Sequence, residues 1–169
     1  MKKAISIFQY ITIAIGIIVI MLFLVPRFFG IRPYIVLSGS MEDEIKTGSV
    51  AYVNTNIKAE EIKVGDIIAF KVGAKQVTHR VVSINSDKTF TTKGDANKVV
   101  DANSVKFSNC LGKTIFSLPF LGYMLGAAQT KVGYIVLILI IGLNIVTLIF
   151  NDENKKDKSN KKIIKEQGT

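Results

Sequence analysis

The sequence predicts a small, mostly β domain held between two membrane-spanning helices. Three observations carry that expectation. Two long uncharged apolar runs lie towards the two ends, and between them short β-branched runs alternate with turn residues. A single cysteine, Cys110, leaves the domain without an internal disulfide. At 169 residues, nearly half of them apolar, the chain is too short for two sizeable soluble domains.

The first apolar run, residues 4–25, carries no charge and exceeds the roughly 20 residues that a bilayer-spanning helix needs. A cleavable signal peptide has a shorter apolar region, about 7–15 residues, followed by a small-x-small site. Here the flank reads Leu24-Val25-Pro26-Arg27-Phe28-Phe29, so a retained anchor is expected. Residues 132–150 form the second span, which tolerates Gly133, Gly142 and Asn144 as membrane helices do. Residues 151–169 are polar and lysine-rich, and read as a disordered tail.

Lysine flanks set the orientation. Lys2 and Lys3 precede the first span, and Lys155, Lys156, Lys158, Lys161, Lys162 and Lys165 follow the second. Both termini are therefore expected in the cytoplasm, with residues 26–131 outside and the protein a multi-pass component of the cell membrane. Arg27 and Arg32 oppose this mildly.

The middle domain holds 14 basic and nine acidic side chains, scattered without interleaved aromatics. A surface next to anionic headgroups accounts for that balance more simply than nucleic acid does. No nucleic-acid partner is expected.

Within the domain, Val50–Val53 reads as a short strand ended by Asn54-Thr55-Asn56. The run 66–72, bounded by Gly65 and Gly73, reads as a strand buried on both faces. Residues 76–84 and 89–92, joined through Asn85-Ser86-Asp87-Lys88, read as a hairpin. The stretch 111–128 is apolar but broken by Pro119, Gly122 and Gly126, which suits a strand followed by a short segment at the membrane surface.

The chemistry-bearing residues are few. Ser38-Gly39-Ser40-Met41-Glu42 lies about a dozen residues beyond the first span. A serine hydroxyl needs a base to become a nucleophile, and Gly39 permits a turn that exposes it. The chain has one histidine, His79, inside a strand, and a free imidazole titrates in the range that suits a base at neutral pH. Such a base needs an acceptor to hold its tautomer. Asp95 and Asp101, in the loop after the hairpin, are the two candidates, and spacing alone does not separate them. Ser38 and the Ser40 amide are positioned in sequence to donate to an oxyanion. One histidine and one cysteine some 30 residues apart make no zinc spacing, and no glycine-rich loop opens a helix to cradle phosphate. No metal and no cofactor are expected.

Four boxes in order resemble type I signal peptidases: Ser38-Gly39-Ser40-Met41-Glu42, Val64-Gly65-Asp66-Ile67-Ile68-Ala69-Phe70, Thr78-His79-Arg80-Val81-Val82, and Thr92-Lys93-Gly94-Asp95-Ala96-Asn97 with Asp101. The run Leu111-Gly112-Lys113 through Pro119-Phe120-Leu121-Gly122-Tyr123 is similar to the family's last box. The branch is the one typical of the endoplasmic reticulum and archaea, found also in some Gram-positive bacteria, which uses Ser–His rather than Ser–Lys. The resemblance implies a bent β-sheet catalytic domain and a membrane-bound endopeptidase that removes signal peptides from exported preproteins. It implies Ser40 as nucleophile, His79 as general base, Asp101 as the orienting carboxylate, Asp95 as a second important carboxylate and Ser38 as oxyanion donor. Its substrates carry small residues one and three places before the cut. Signal peptides and the lipid bilayer are then the partners, with the secretion translocon a further candidate. One position departs from the family, which usually has proline where Asp43 stands.

Three other readings compete. A sortase-like transpeptidase would use Cys110 with His79 and an arginine, but no arginine follows Cys110. A self-cleaving repressor shares the serine logic but not the two spans. A non-catalytic membrane-tethered scaffold or assembly subunit is the remaining alternative.

Overall fold

The computed structural model describes residues 2–167, and their side chains over residues 6–149. The chain divides into two compact units: residues up to Gly16 together with those from Ala127 onward, and Ile17–Gly126.

Four helices are described: α1 Lys2–Phe23, the one-turn α2 Val25–Phe28, α3 Leu121–Ala128 and α4 Lys131–Gln167. The first unit is helical, made of α1 up to Gly16 and of α4, while the rest of α1, α2 and most of α3 belong to the second. Ser6–Phe28 and Lys131–Ile149 are long and apolar enough to cross a membrane, and almost none of either is buried. Their few polar side chains find partners within the unit. Gln9 Nε2 donates to Thr147 Oγ1 at 2.6 Å, and Thr12 Oγ1 to Asn144 Oδ1 at 2.8 Å. In an apolar environment such pairs hold helices together because an unpartnered amide or hydroxyl has no water to turn to. Asn144, tolerated by the sequence reading, thus has a specific use. Thr130 caps α4 by accepting from the Gly133 amide. The backbone of the lysine-rich tail continues α4 through to Gln167, where the sequence predicts disorder. Extending an existing helix avoids the cost of nucleating one, and lysine and glutamate propagate it well.

The second unit is a six-stranded, wholly antiparallel sheet in the order β1-β2-β6-β3-β4-β5. The strands are β1 Ile31–Ile35, β2 Val50–Asn54, β3 Ile67–Val72, β4 Lys75–Ile84, β5 Phe90–Lys93 and β6 Cys110–Leu118. The expected strands are all present. Strand β1 is additional: Pro33 cannot donate to a ladder, so the sequence argues against a strand there, yet an edge strand tolerates it. Register shifts at Tyr52/Val53, Ala69/Phe70 and Val81/Ser83 mark bulges, each of which bends and twists the sheet locally. At Gly112 (φ +147°) a side chain would meet the Asn54 carbonyl, so only glycine lets β6 pass β2 there.

Two apolar clusters form the core. One gathers Ile62, Ile68, Phe70, Val81, Phe90 and Val105; the other Val36, Met41, Ile45 and Ala51, with Ile67 against it. Neighbours Ile67 and Ile68 on β3 go to different clusters, as alternation along a strand requires. This is why residues 68–70 are buried on both faces.

Candidate active site

Ser40 sits in a single 3₁₀ turn, Gly39–Met41, which follows extended Ser38. The turn is pinned from below by Met41, 1% exposed in the second cluster. It is pinned from the side by the turn 94–97. The Ala96 amide donates to the Ser40 carbonyl at 3.0 Å, and the Asp95 amide to Met41 Sδ at 3.4 Å. Gly94 lies so close that a Cβ there would fall 2.5 Å from the same carbonyl. The segment after Ser40 closes on itself. Glu42 N donates to Gly39 O, and the Glu44 and Ile45 amides both donate to Met41 O. The Glu42 carboxylate accepts from the Thr47 amide (3.3 Å) and hydroxyl (2.8 Å). Asp43 is exposed, so no packing is lost with the family's proline.

His79 is on β4 opposite Ile68 of β3, buried, with the Phe70 ring edge-on at 6.1 Å. Its Nε2 lies 3.0 Å from Ser40 Oγ and its Nδ1 2.6 Å from Asp101 Oδ2. An ionised carboxylate only accepts, which places the proton of a neutral imidazole on Nδ1 and leaves Nε2 free to accept from the serine hydroxyl. Asp101 is held in turn: its amide donates to Thr92 O at 2.8 Å, and Thr92 Oγ1 donates to Asp101 Oδ2 at 2.6 Å. Thr92 is wholly buried on β5, paired with Val81.

The two aspartates left open by the sequence therefore go to different partners. Asp101 meets His79; Asp95 grips Arg80, the next residue on β4. The guanidinium is bound through both ends, Nε to Oδ1 at 2.8 Å and Nη2 to Oδ2 at 2.6 Å, while Nη1 donates to Gly65 O at 2.7 Å. Hydrogen bonding to Asp95 holds Arg80 above even its usual high pKa. Ser38 is exposed, its Oγ 3.4 Å from Ser40 Oγ. Cys110 packs against the first cluster, its Sγ 3.8 Å from Gly112 O, and burial pushes the thiol pKa up, which disfavours a thiolate nucleophile. Among the described residues no three His, Cys, Asp or Glu side chains gather as a metal site. Thr92, Arg80 and Gly94 all lie inside the sequence boxes, but no spacing rule assigns them a contact. The pairing of β4 with β5 brings Thr92 and Arg80 to their partners, and the turn after β5 brings Gly94 against Ser40.

A hydroxyl, an imidazole and a carboxylate in one hydrogen-bonded line, on a mostly antiparallel sheet, is the geometry with which serine hydrolases activate a nucleophile. The family described as signal peptidase, peptidase S26, matches residues 7–108, and the chain belongs to that family. The chain is 40% identical over 99 residues to Signal peptidase I W of Bacillus subtilis (strain 168), a match covering 56% of this chain and 52% of that protein. It is 34% identical over 101 residues to Signal peptidase complex catalytic subunit SEC11C of Homo sapiens, covering 52% of each. To Signal peptidase complex catalytic subunit SEC11 of Colletotrichum graminicola it is 32% identical over 103 residues, covering 53% of this chain and 59% of that protein. The chain spans about half the length of the curated relatives it matches. The sheet is consistent with the family's fold.

Proposed function

We propose that this protein is a membrane-bound serine endopeptidase that removes N-terminal signal peptides from exported proteins. The observation that carries the reading is the pair of hydrogen bonds joining Ser40, His79 and Asp101. His79 takes the Ser40 proton at Nε2 as Oγ attacks the scissile carbonyl. The imidazolium is steadied through Nδ1 by Asp101, and the Ser38 hydroxyl and Ser40 amide donate to the tetrahedral oxyanion. His79 then protonates the leaving amine, and water activated by the same imidazole releases the acyl-enzyme. Asp95 acts structurally, tying β4 to the 94–97 turn that donates to the Ser40 carbonyl.

Membership of the signal peptidase family and the names of the relatives support this substrate class. Two apolar helices support membrane association. The domain division we favour is an anchor at 4–25, a catalytic domain at 26–131 facing away from the cytoplasm, a second span at 132–150 and a cytoplasmic tail at 151–169. The bilayer and emerging signal peptides are the partners, with the secretion translocon the source of the latter.

The test is processing of exported proteins in cells carrying wild type, Ser40→Ala or His79→Ala, with mature N-termini read by mass spectrometry. Both variants are expected to leave precursors uncut. Near-normal processing by His79→Ala would remove the imidazole from the mechanism and make Lys75, at the start of β4, the next base to examine.

A further inference from the structure

Thr92 has a role beyond filling the core. It is 0% exposed, within the β4–β5 pair and opposite Val81. Leaving a buried hydroxyl unpaired is costly, and here Oγ1 donates to Asp101 Oδ2 at 2.6 Å. That oxygen is the one facing His79 Nδ1. The Thr92 carbonyl also receives the Asp101 amide, so one residue of a paired strand holds both the backbone and the carboxylate of Asp101. Earlier in the loop Asp95 is tied to β4 through Arg80, and after Asp101 the next backbone tether to the sheet is Val105, which bridges to Phe90.

We infer that Thr92 is a positioning residue for the proton-transfer line, acting through Asp101 rather than on substrate; the inference rests on the Ser40–His79 reading above. With two donors on one oxygen, rotating the carboxylate would leave a buried hydroxyl unpaired, at a cost that favours the observed orientation. The Nδ1–H tautomer, and with it the free Nε2 lone pair aimed at Ser40, is thereby kept before substrate arrives. The strand does what the loop alone cannot, because residues 98–100 beside Asp101 are exposed.

The test uses the full chain purified in detergent and a fluorogenic peptide with alanine one and three places before the scissile bond. Thr92→Val removes the hydroxyl and keeps the shape; Thr92→Ser keeps the hydroxyl and removes the methyl. Thr92→Ala serves as a second hydroxyl-free variant should valine fail to accumulate. The hydroxyl-free variants are expected to lose kcat by roughly tenfold or more, the size of a hydrogen bond to a charged group, with KM little changed. Thr92→Ser should stay within about threefold of wild type. Loss that follows the methyl, with Thr92→Ser as impaired as Thr92→Val, overturns the inference, as does an undiminished kcat in the hydroxyl-free variants. Ser40→Ala is run alongside. If it is inactive while Thr92→Val is normal, the positioning role alone fails; if Ser40→Ala cleaves, both readings fail.

Discussion

His79 and Ser40 meet at 3.0 Å but are held by different kinds of structure. The histidine belongs to β4, the central member of a three-strand ladder with β3 and β5, and its neighbours are set by register. The serine belongs to a one-turn helix with no ladder of its own, located by a buried methionine below and the turn 94–97 beside it. A ladder spreads a local insult over many hydrogen bonds, whereas a turn passes it straight to the residue it carries. The base side should therefore be sensitive only to the groups in the proton-transfer line, and the nucleophile side to small changes of backbone.

The largest contrast lies between the two aspartates. Asp101→Asn keeps the shape of the site but offers His79 an amide in place of a carboxylate, so the wrong tautomer is stabilised. A loss of about 10³-fold or more in kcat is expected, on the scale known for other imidazole-based serine enzymes. Asp95→Asn breaks the clasp on Arg80 without touching the imidazole, and a loss of roughly five- to tenfold is expected, since that pair is partly solvent-exposed. Steady-state kinetics of the two purified variants decide the matter. Equal losses would mean that the clasp and the proton-transfer line are one unit.

Gly94→Ala probes the turn side directly. The new Cβ would meet the Ser40 carbonyl at 2.5 Å, and that atom can move only if Ser40 moves with it. Displacements of this order cost about 10²-fold in rate when they misplace a reacting group. The fall should be in kcat, with the thermal unfolding midpoint much less affected, because the register of the sheet does not pass through Gly94. A variant that unfolds instead would show that the turn supports the sheet as well as the serine.

Glu42→Ala is a gentler probe of the same side. Its carboxylate bridges to Thr47 across the segment where the family usually has proline, and both hydrogen bonds are exposed. Loss of about two- to fivefold in kcat is expected from bonds of this kind. Thr47→Val should reproduce it, and the double variant should cost no more than either single one. Additive losses would mean that the two side chains act separately.

How far this was legible in the sequence follows the same division. Strands β2 to β6 were readable because β-branched runs ended at turn residues, and His79 fell on one of them. The serine was readable from its glycine turn and its distance from the first span. The resemblance favoured Asp101 over Asp95, but spacing did not separate them, since both lie in one loop and which reaches Nδ1 and which reaches Arg80 is seen only in the fold. Thr92 was invisible for the same reason: its partner is nine residues away along the chain, through a loop without periodicity. Strand β1 was hidden by Pro33, a residue that forbids a central strand but not an edge one. The polar pairing of Thr12 with Asn144 spans 132 positions and leaves no local trace.

The smallest expected effect belongs to Cys110, which sharpens the comparison by lying on the ladder side yet outside the proton-transfer line. Cys110→Ser should leave kcat within about twofold of wild type, since the thiol packs against the first cluster and its hydrogen bond goes to Gly112 O, outside the line joining Ser40, His79 and Asp101. The thiol itself should report its burial. Its pKa is raised from 9.0 by desolvation, so little thiolate exists near neutral pH and alkylation of the folded protein should be slow there. The sign for stability follows: above the ordinary thiol pKa the unfolded chain ionises while the folded chain keeps its proton, so the unfolded state is favoured as pH rises. Wild type should therefore lose stability more steeply than Cys110→Ser as pH rises above the ordinary thiol pKa, as read by thermal unfolding at matched ionic strength. Fast alkylation at pH 7 without loss of fold would place the thiol at the surface, and would reopen the question of what β6 covers beside Phe70.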